Sequence, residues 1–99
     1  MLLKIAYMLY LSQALRAMIN AGQIRAARAL LNMSQTDLAS LASVHVATVR
    51  RIEAATELRG AAETLWKIQM ALERAGIEFI AAEHPKGPGL RLRTLPQER

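Results

Sequence analysis

The chain contains no cysteine. No disulfide framework and no thiolate metal site can form, and nothing in the sequence calls for an oxidising compartment. Its two histidines, His45 and His84, stand far apart with no ligand spacing around them, so neither a metal nor any other cofactor is expected. Aromatic residues make up only 4% of the chain against 53% hydrophobic residues in all. A core rich in Ala and Leu favours close helix packing over a sheet sandwich. Acidic residues are the minority charge, eight against thirteen basic ones, for a formal net charge of +5 and a pI near 10.5. That balance suits a polyanionic partner, because clustered Lys and Arg displace counterions from phosphate. An apolar run long enough to cross a bilayer, about 20 residues, is also missing. Lys4, Ser12, Gln13 and Arg16 interrupt the one stretch that comes near it. Catalysis would need a nucleophile beside a base, paired carboxylates or a metal pocket. Glu73, Glu78 and Glu83 are scattered around a helix end and a hairpin instead, so the chain reads as a non-enzyme with no small-molecule ligand.

What is present amounts to about one domain. Residues 1–19 form a hydrophobic N-terminal helix in this reading, with Met8, Leu11, Leu15 and Met18 at helical spacing to cover the neighbouring domain or a second subunit. Two other readings compete for the segment. Ile5 to Leu11 behind Lys4, followed by Ser12-Gln13-Ala14, has the outline of a minimal signal peptide at the short limit of length. Met18 could instead be the natural start, which would make residues 1–17 an appendage. A cytoplasmic location is the expectation.

Residues 20–76 carry the pattern of a helical bundle. Asn20 can cap a helix and Gln23 can close a capping box, and Ile24, Ala27, Leu30 and Leu31 then form an inner stripe, with Arg25 and Arg28 on other faces. After Asn32-Met33 breaks the period, Ser34 is placed to cap a second helix with Asp37 in its first turn, ending near Ala42. Ser43-Val44-His45 makes a turn, and a third helix occupies about residues 46–55. Past a looser stretch from Thr56 to Gly60, a longer helix runs from Ala61 to Ala75. Its stripe is Leu65, Ile68 and Leu72, with Trp66 and Met70 at the edge, and Gly76 is a left-handed cap. In residues 77–93, Ile77-Glu78-Phe79-Ile80 and Leu90-Arg91-Leu92-Arg93 flank the turn-forming HPKGPG, which predicts a β-hairpin with Leu90 and Leu92 inward and Arg91 and Arg93 on a solvated face. Residues 94–99 read as a flexible tail.

The richest stretch is Gln35 to Ala54, QTDLASLASVHVATVRRIEA. Two short helices and a sharp turn place Leu38, Ala39 and Ala42 on one inner face, Val44 in the turn, and Val49 and Ile52 on the other. His45, Val46, Ala47, Arg50 and Arg51 face out. With QIRAARALL before this stretch and TLWKIQMALERAGIEFI and GPGLRLR after it, the chain resembles the lambda-repressor-like, Cro/C1-type (XRE) helix-turn-helix regulators over Met18 to Arg93, and more closely a bacterial subgroup that ends in a short hairpin.

The resemblance implies a mainly α fold of four to five helices plus the hairpin, and a sequence-specific DNA-binding transcriptional regulator, a repressor-like homodimer on double-stranded DNA. It also implies that Gln35 anchors a phosphate and braces the start of the recognition helix. His45, Val46, Ala47 and Arg51 look into the major groove, with Thr48 and Arg50 in the same contact set. Arg28 and Glu53 match a structural ion pair, which takes Arg28 off the DNA list.

The sequence departs from the family pattern in three places. Ser43 stands where glycine is usual, at a cost of about 1 kcal/mol for a left-handed backbone. His45 stands where Ser or Thr usually caps. Val46-Ala47 offers only apolar contact, such as with a thymine methyl. Those two residues motivate an alternative, a protein-interaction module such as an antitoxin or antiactivator on the same fold. A membrane-tethered regulator anchored by residues 1–19 is the other.

Overall fold

The computed structural model describes residues 2–8, 19–55 and 62–95. Four helices, α1 (Ala21–Leu31), α2 (Gln35–Ala42), α3 (Val46–Ala54) and α4 (Ala62–Arg74), precede an antiparallel hairpin of β1 (Ile77–Ile80) and β2 (Gly89–Leu92). Residues 2–8 are also helical. No helix among the described residues is long and apolar enough to cross a membrane. Of the four residues expected to make the N-terminal helix a packing element, only Met8 lies among those described, and it is 63% exposed. Leu11, Leu15, Met18, the small residues at 12–14, the stretch 56–60 and the end of the tail lie outside them.

Each of the first two helices starts and stops for local reasons. Asn20 accepts from the Gln23 amide at 2.8 Å while the Gln23 side chain accepts from the Asn20 amide at 2.9 Å. Ser34 and Asp37 make the same reciprocal pair, at 2.9 and 3.1 Å. These capping boxes satisfy two otherwise orphaned amides per helix. Both helices end in Schellman motifs on a left-handed residue, Asn32 at φ 55° and Ser43 at φ 58°. The Met33 amide reaches back to the Arg28 carbonyl at 2.9 Å and the Val44 amide to Ala39 at 3.0 Å. Met33 and Val44 pack against the core just beyond each stop.

The core gathers one apolar stripe from each element. Ile24, Leu38, Val49, Ile68, Leu72 and Ile77 are fully buried, with Ile19, Ala27, Ala39, Ala42, Leu65 and Ala71 around them. The expected stripe of α1 needs one correction, because Leu30 is 48% exposed. At about 100° per residue it stands roughly 120° round the helix from Ile24. Arg28, expected on another face, lies only about 40° from Ile24 by the same count and is half-buried.

The hairpin pairs Ile77 with Leu92, Glu78 with Arg91, Phe79 with Leu90 and Ile80 with Gly89. Phe79, Leu90 and Leu92 pack on the helical core. Gly76, at φ 112°, lets the chain leave α4 and enter β1 directly. Gln23 ties the hairpin to α1, since its side-chain amide donates to the Gly89 carbonyl at 3.0 Å. The outer face is exposed as expected, and its arginines also bond within the chain: Arg91 pairs with Glu78 across the strands, and Arg93 donates to the carbonyls of Glu73 and Ile77.

Candidate nucleic-acid interface

The turn that joins α2 to α3 is set by Ser43, whose left-handed backbone stops α2, and by His45, which opens α3 in an extended conformation. His45 makes no side-chain cap bond, so the amino end of α3 keeps backbone N–H groups open. Val49 fixes the rotation of the helix, because it is fully buried and points at the core. Counting about 100° per residue from it, Ala47, Arg50, Arg51 and Ala54 fall on the opposite side. All four are exposed, as is His45.

Val46 does not stand free on that outer surface, contrary to the sequence expectation. It lies roughly 60° from Val49 by the same count, is half-buried, and packs against the core. Thr48 is half-buried on the other flank. The open surface of α3 is therefore narrower than the sequence suggested. It consists of two arginines with small alanines between them, and His45 at its leading end.

The far end of α3 is held by a cluster centred on Glu53, which is 5% exposed. Arg28 donates from Nε to Glu53 Oε2 and from Nη2 to Oε1, both at 2.7 Å, and from Nη1 to the Met33 carbonyl at 3.0 Å. The planar fork of a guanidinium matches a carboxylate in this two-bond geometry. Gln35 Nε2 adds a third donor to Oε1 at 3.2 Å. Arg25 Nη1 donates to the main-chain carbonyl of Glu53. Burial pushes the Glu53 carboxyl up, but the hydrogen bonds from Arg28 and Gln35, with the charges of Arg28 and Arg25, outweigh it and hold the group below the usual glutamate range. The hydrogen bonds to Glu53 raise Arg28 against a smaller desolvation cost, and the negative charge of Glu53 adds to the rise.

Gln35 is thus used differently from the sequence expectation. Its amide braces the end of α3 at Glu53, not the start of that helix, because α2 begins beside the last turn of α3. Arg25 was missed altogether. A signal for it was present: Arg25 precedes Arg28 by three residues, so both reach the same side of α1. Sequence spacing marks Gln23 only as half of a capping box, and its long-range bond to Gly89 has no local signature.

Arg50 and Arg51 make no ion pair among the described residues. Two exposed guanidiniums on a helix anchored through Val49 and Glu53 can meet phosphate oxygens or the acceptor edge of guanine. The sequence model of the helix-turn-helix family matches residues 24–75, from the first turn of α1 to just past α4. No curated protein matches the chain. With more than half its length matched and both helices and the turn in place, the chain belongs to the Cro/C1-type helix-turn-helix family of DNA-binding proteins.

Proposed function

We propose that the protein is a sequence-specific transcriptional regulator that binds double-stranded DNA as a repressor-like homodimer in the cytoplasm, presenting residues 46–55 to the major groove. The observation that carries this reading is the exposed pair Arg50 and Arg51, on a helix whose other side is locked through Val49 and Glu53. Arg51 is the base reader in this proposal, next to Ala47 one turn earlier on the same side. Arg50 and the open amides at His45 contact phosphate. Gln35, bonded to Glu53 near the far end of α3, adds a phosphate contact there in this proposal.

A single helix of this length reads only a few base pairs, and two half-sites about one helical turn apart supply the missing specificity. That requirement motivates the homodimer. Selection of bound duplexes from a random library tests the whole reading. Enrichment of a near-palindromic site supports it, and recovery of unenriched DNA rejects the specificity. A salt titration of duplex affinity tests the surface itself. If Arg50→Ala combined with Arg51→Ala leaves affinity and salt slope unchanged, α3 is not the contact helix. Ala47 and Ala54 carry no hydrogen-bonding groups, and Val46 is half-buried. Those features favour a second reading, a protein-binding module, if no site enriches.

A further inference from the structure

The hairpin has a free edge beside α1 whose surroundings specify what can pair with it. The Arg93 amide donates to the Gly76 carbonyl at 2.8 Å. Together with the register, this sets the phase of the ladder: Glu78 and Arg91 exchange main-chain bonds, whereas the N–H and C=O groups of Leu90 and Leu92 point away from β1. No described residue bonds to them. A groove of about 740 Å³ runs along this edge, lined by Leu30, Leu90, Leu92 and Leu95 on its apolar side and by Glu78, Arg91, Arg93 and Thr94 on its polar side. Leu30 is 48% exposed and Leu95 is 89% exposed.

A strand added to β2 would alternate its side chains between those two sides. Those facing the helices would lie against Leu30. Those facing outward would lie beside Arg91 and Arg93. Glu78 pairs with Arg91 and also lies within the field of Arg93, whose own hydrogen bonds go only to main-chain carbonyls, so among the described residues this side sets two guanidiniums against one carboxylate and stays net positive. The β2 strand of a second copy would set arginine against arginine, and like charges across strands destabilise pairing. A β1 strand from a second copy has a suitable pattern, but that contact is heterologous and builds open chains rather than a closed dimer.

We propose that the outer edge of β2 is a docking site for an extended segment of another protein in which apolar and acidic residues alternate, the apolar ones covering Leu30 and an acidic one pairing with Arg93. Main-chain bonds to Leu90 and Leu92 supply the attachment, as in other cases of strand addition. The surface is separate from the outer face of α3, and the proposal does not depend on the DNA reading.

The test uses fluorescein-labelled peptides of alternating valine and glutamate, with valine–lysine and N-methylated valine–glutamate versions, in fluorescence anisotropy with the full chain. Saturable binding is expected for the glutamate peptide alone. Leu30→Asp and Arg93→Glu should each weaken it at least about tenfold, while duplex affinity in Leu30→Asp stays at the wild-type level. No saturation by the glutamate peptide up to millimolar protein overturns the proposal, as does equal binding of all three peptides. So does a self-associated species in sedimentation that Arg93→Glu dissociates, which would assign the edge to a second copy.

Discussion

Arg28 holds both carboxylate oxygens of Glu53, at 2.7 Å each, from one turn inside α1 to the last turn of α3. The glutamate side chain is 4% exposed and the arginine 20%, so the pair is screened little by water. Removing one partner leaves the other charge desolvated, which costs about 3 kcal/mol. Arg28→Ala and Glu53→Ala should each lower the urea midpoint accordingly. Arg28→Met combined with Glu53→Leu should recover most of the loss, because an apolar pair of similar volume removes the unpaired charge. Equal losses in the double and single variants would show that the charge itself is not what the fold depends on.

The same carboxylate makes stability depend on pH in a defined direction. Glu53 titrates below its unfolded value of about 4.3, since the bonds from Arg28 and Gln35 outweigh burial. A group with a depressed folded pKa binds more protons when unfolded in the window between the two values, so stability falls as pH falls through that window. Its contribution is complete above the unfolded value and gone below the folded one. Asp37, bonded to Ser34, and Glu78, bonded to Arg91, are also lowered and act in the same direction from exposed positions. Thermal melts from pH 6 to pH 3 should show a steeper decline in the wild type than in Glu53→Gln. Parallel curves would remove Glu53 as the source.

Much of this fold was legible in the sequence because its signals are local. Asn20 with Gln23, Ser34, Ser43 and Gly76 mark helix ends through side chains and backbone requirements that act within a few residues. The buried stripe Leu65, Ile68 and Leu72 follows from period alone. What was not legible depends on rotation and distance. Leu30 and Val46 were misplaced because an apolar residue near the border of a helical face is buried or exposed according to a rotation of a few tens of degrees, which packing decides. Gln35 was given the wrong end of α3 because no sequence spacing tells which turn of α3 lies beside the start of α2. The link from Gln23 to Gly89 joins residues 66 positions apart, and nothing near either residue announces it.

Two left-handed backbone positions give predictions of opposite sign. Ser43 holds φ 58° with a side chain attached, a conformation that costs about 1 kcal/mol for a residue other than glycine. Ser43→Gly should therefore stabilise the protein, by less than that amount because glycine also loosens the unfolded chain. Gly76 holds φ 112° with no atom within 4 Å of where a Cβ would stand. Gly76→Ala should be destabilising through backbone strain alone, by about 1 kcal/mol or more. Denaturant curves of the two variants decide the matter. A stable Gly76→Ala protein would mean that the junction between α4 and β1 can relax.

The two exposed arginines of α3 should separate on measurement. Arg51 shares its side of the helix with Ala47 one turn earlier, and a small neighbour leaves a guanidinium room to lie flat against a base edge. Arg50 stands about 100° round the axis, toward the flank where a backbone would pass. On the proposed DNA reading, Arg50→Ala should weaken binding to all duplexes alike and reduce the dependence of log affinity on log salt by about 1, the signature of one lost phosphate contact. Arg51→Ala should cost about 1–3 kcal/mol on the selected site and much less on random duplex, so that preference at one base pair relaxes. Lysine at each position sharpens the contrast. Arg50→Lys keeps a point charge and should retain most of the affinity, whereas Arg51→Lys loses the planar fork and should lose discrimination. If both arginines behave as phosphate contacts, base recognition moves to His45 and Ala47, the other exposed residues at the start of α3. The selected sites should then be defined by thymine methyl groups rather than by guanine.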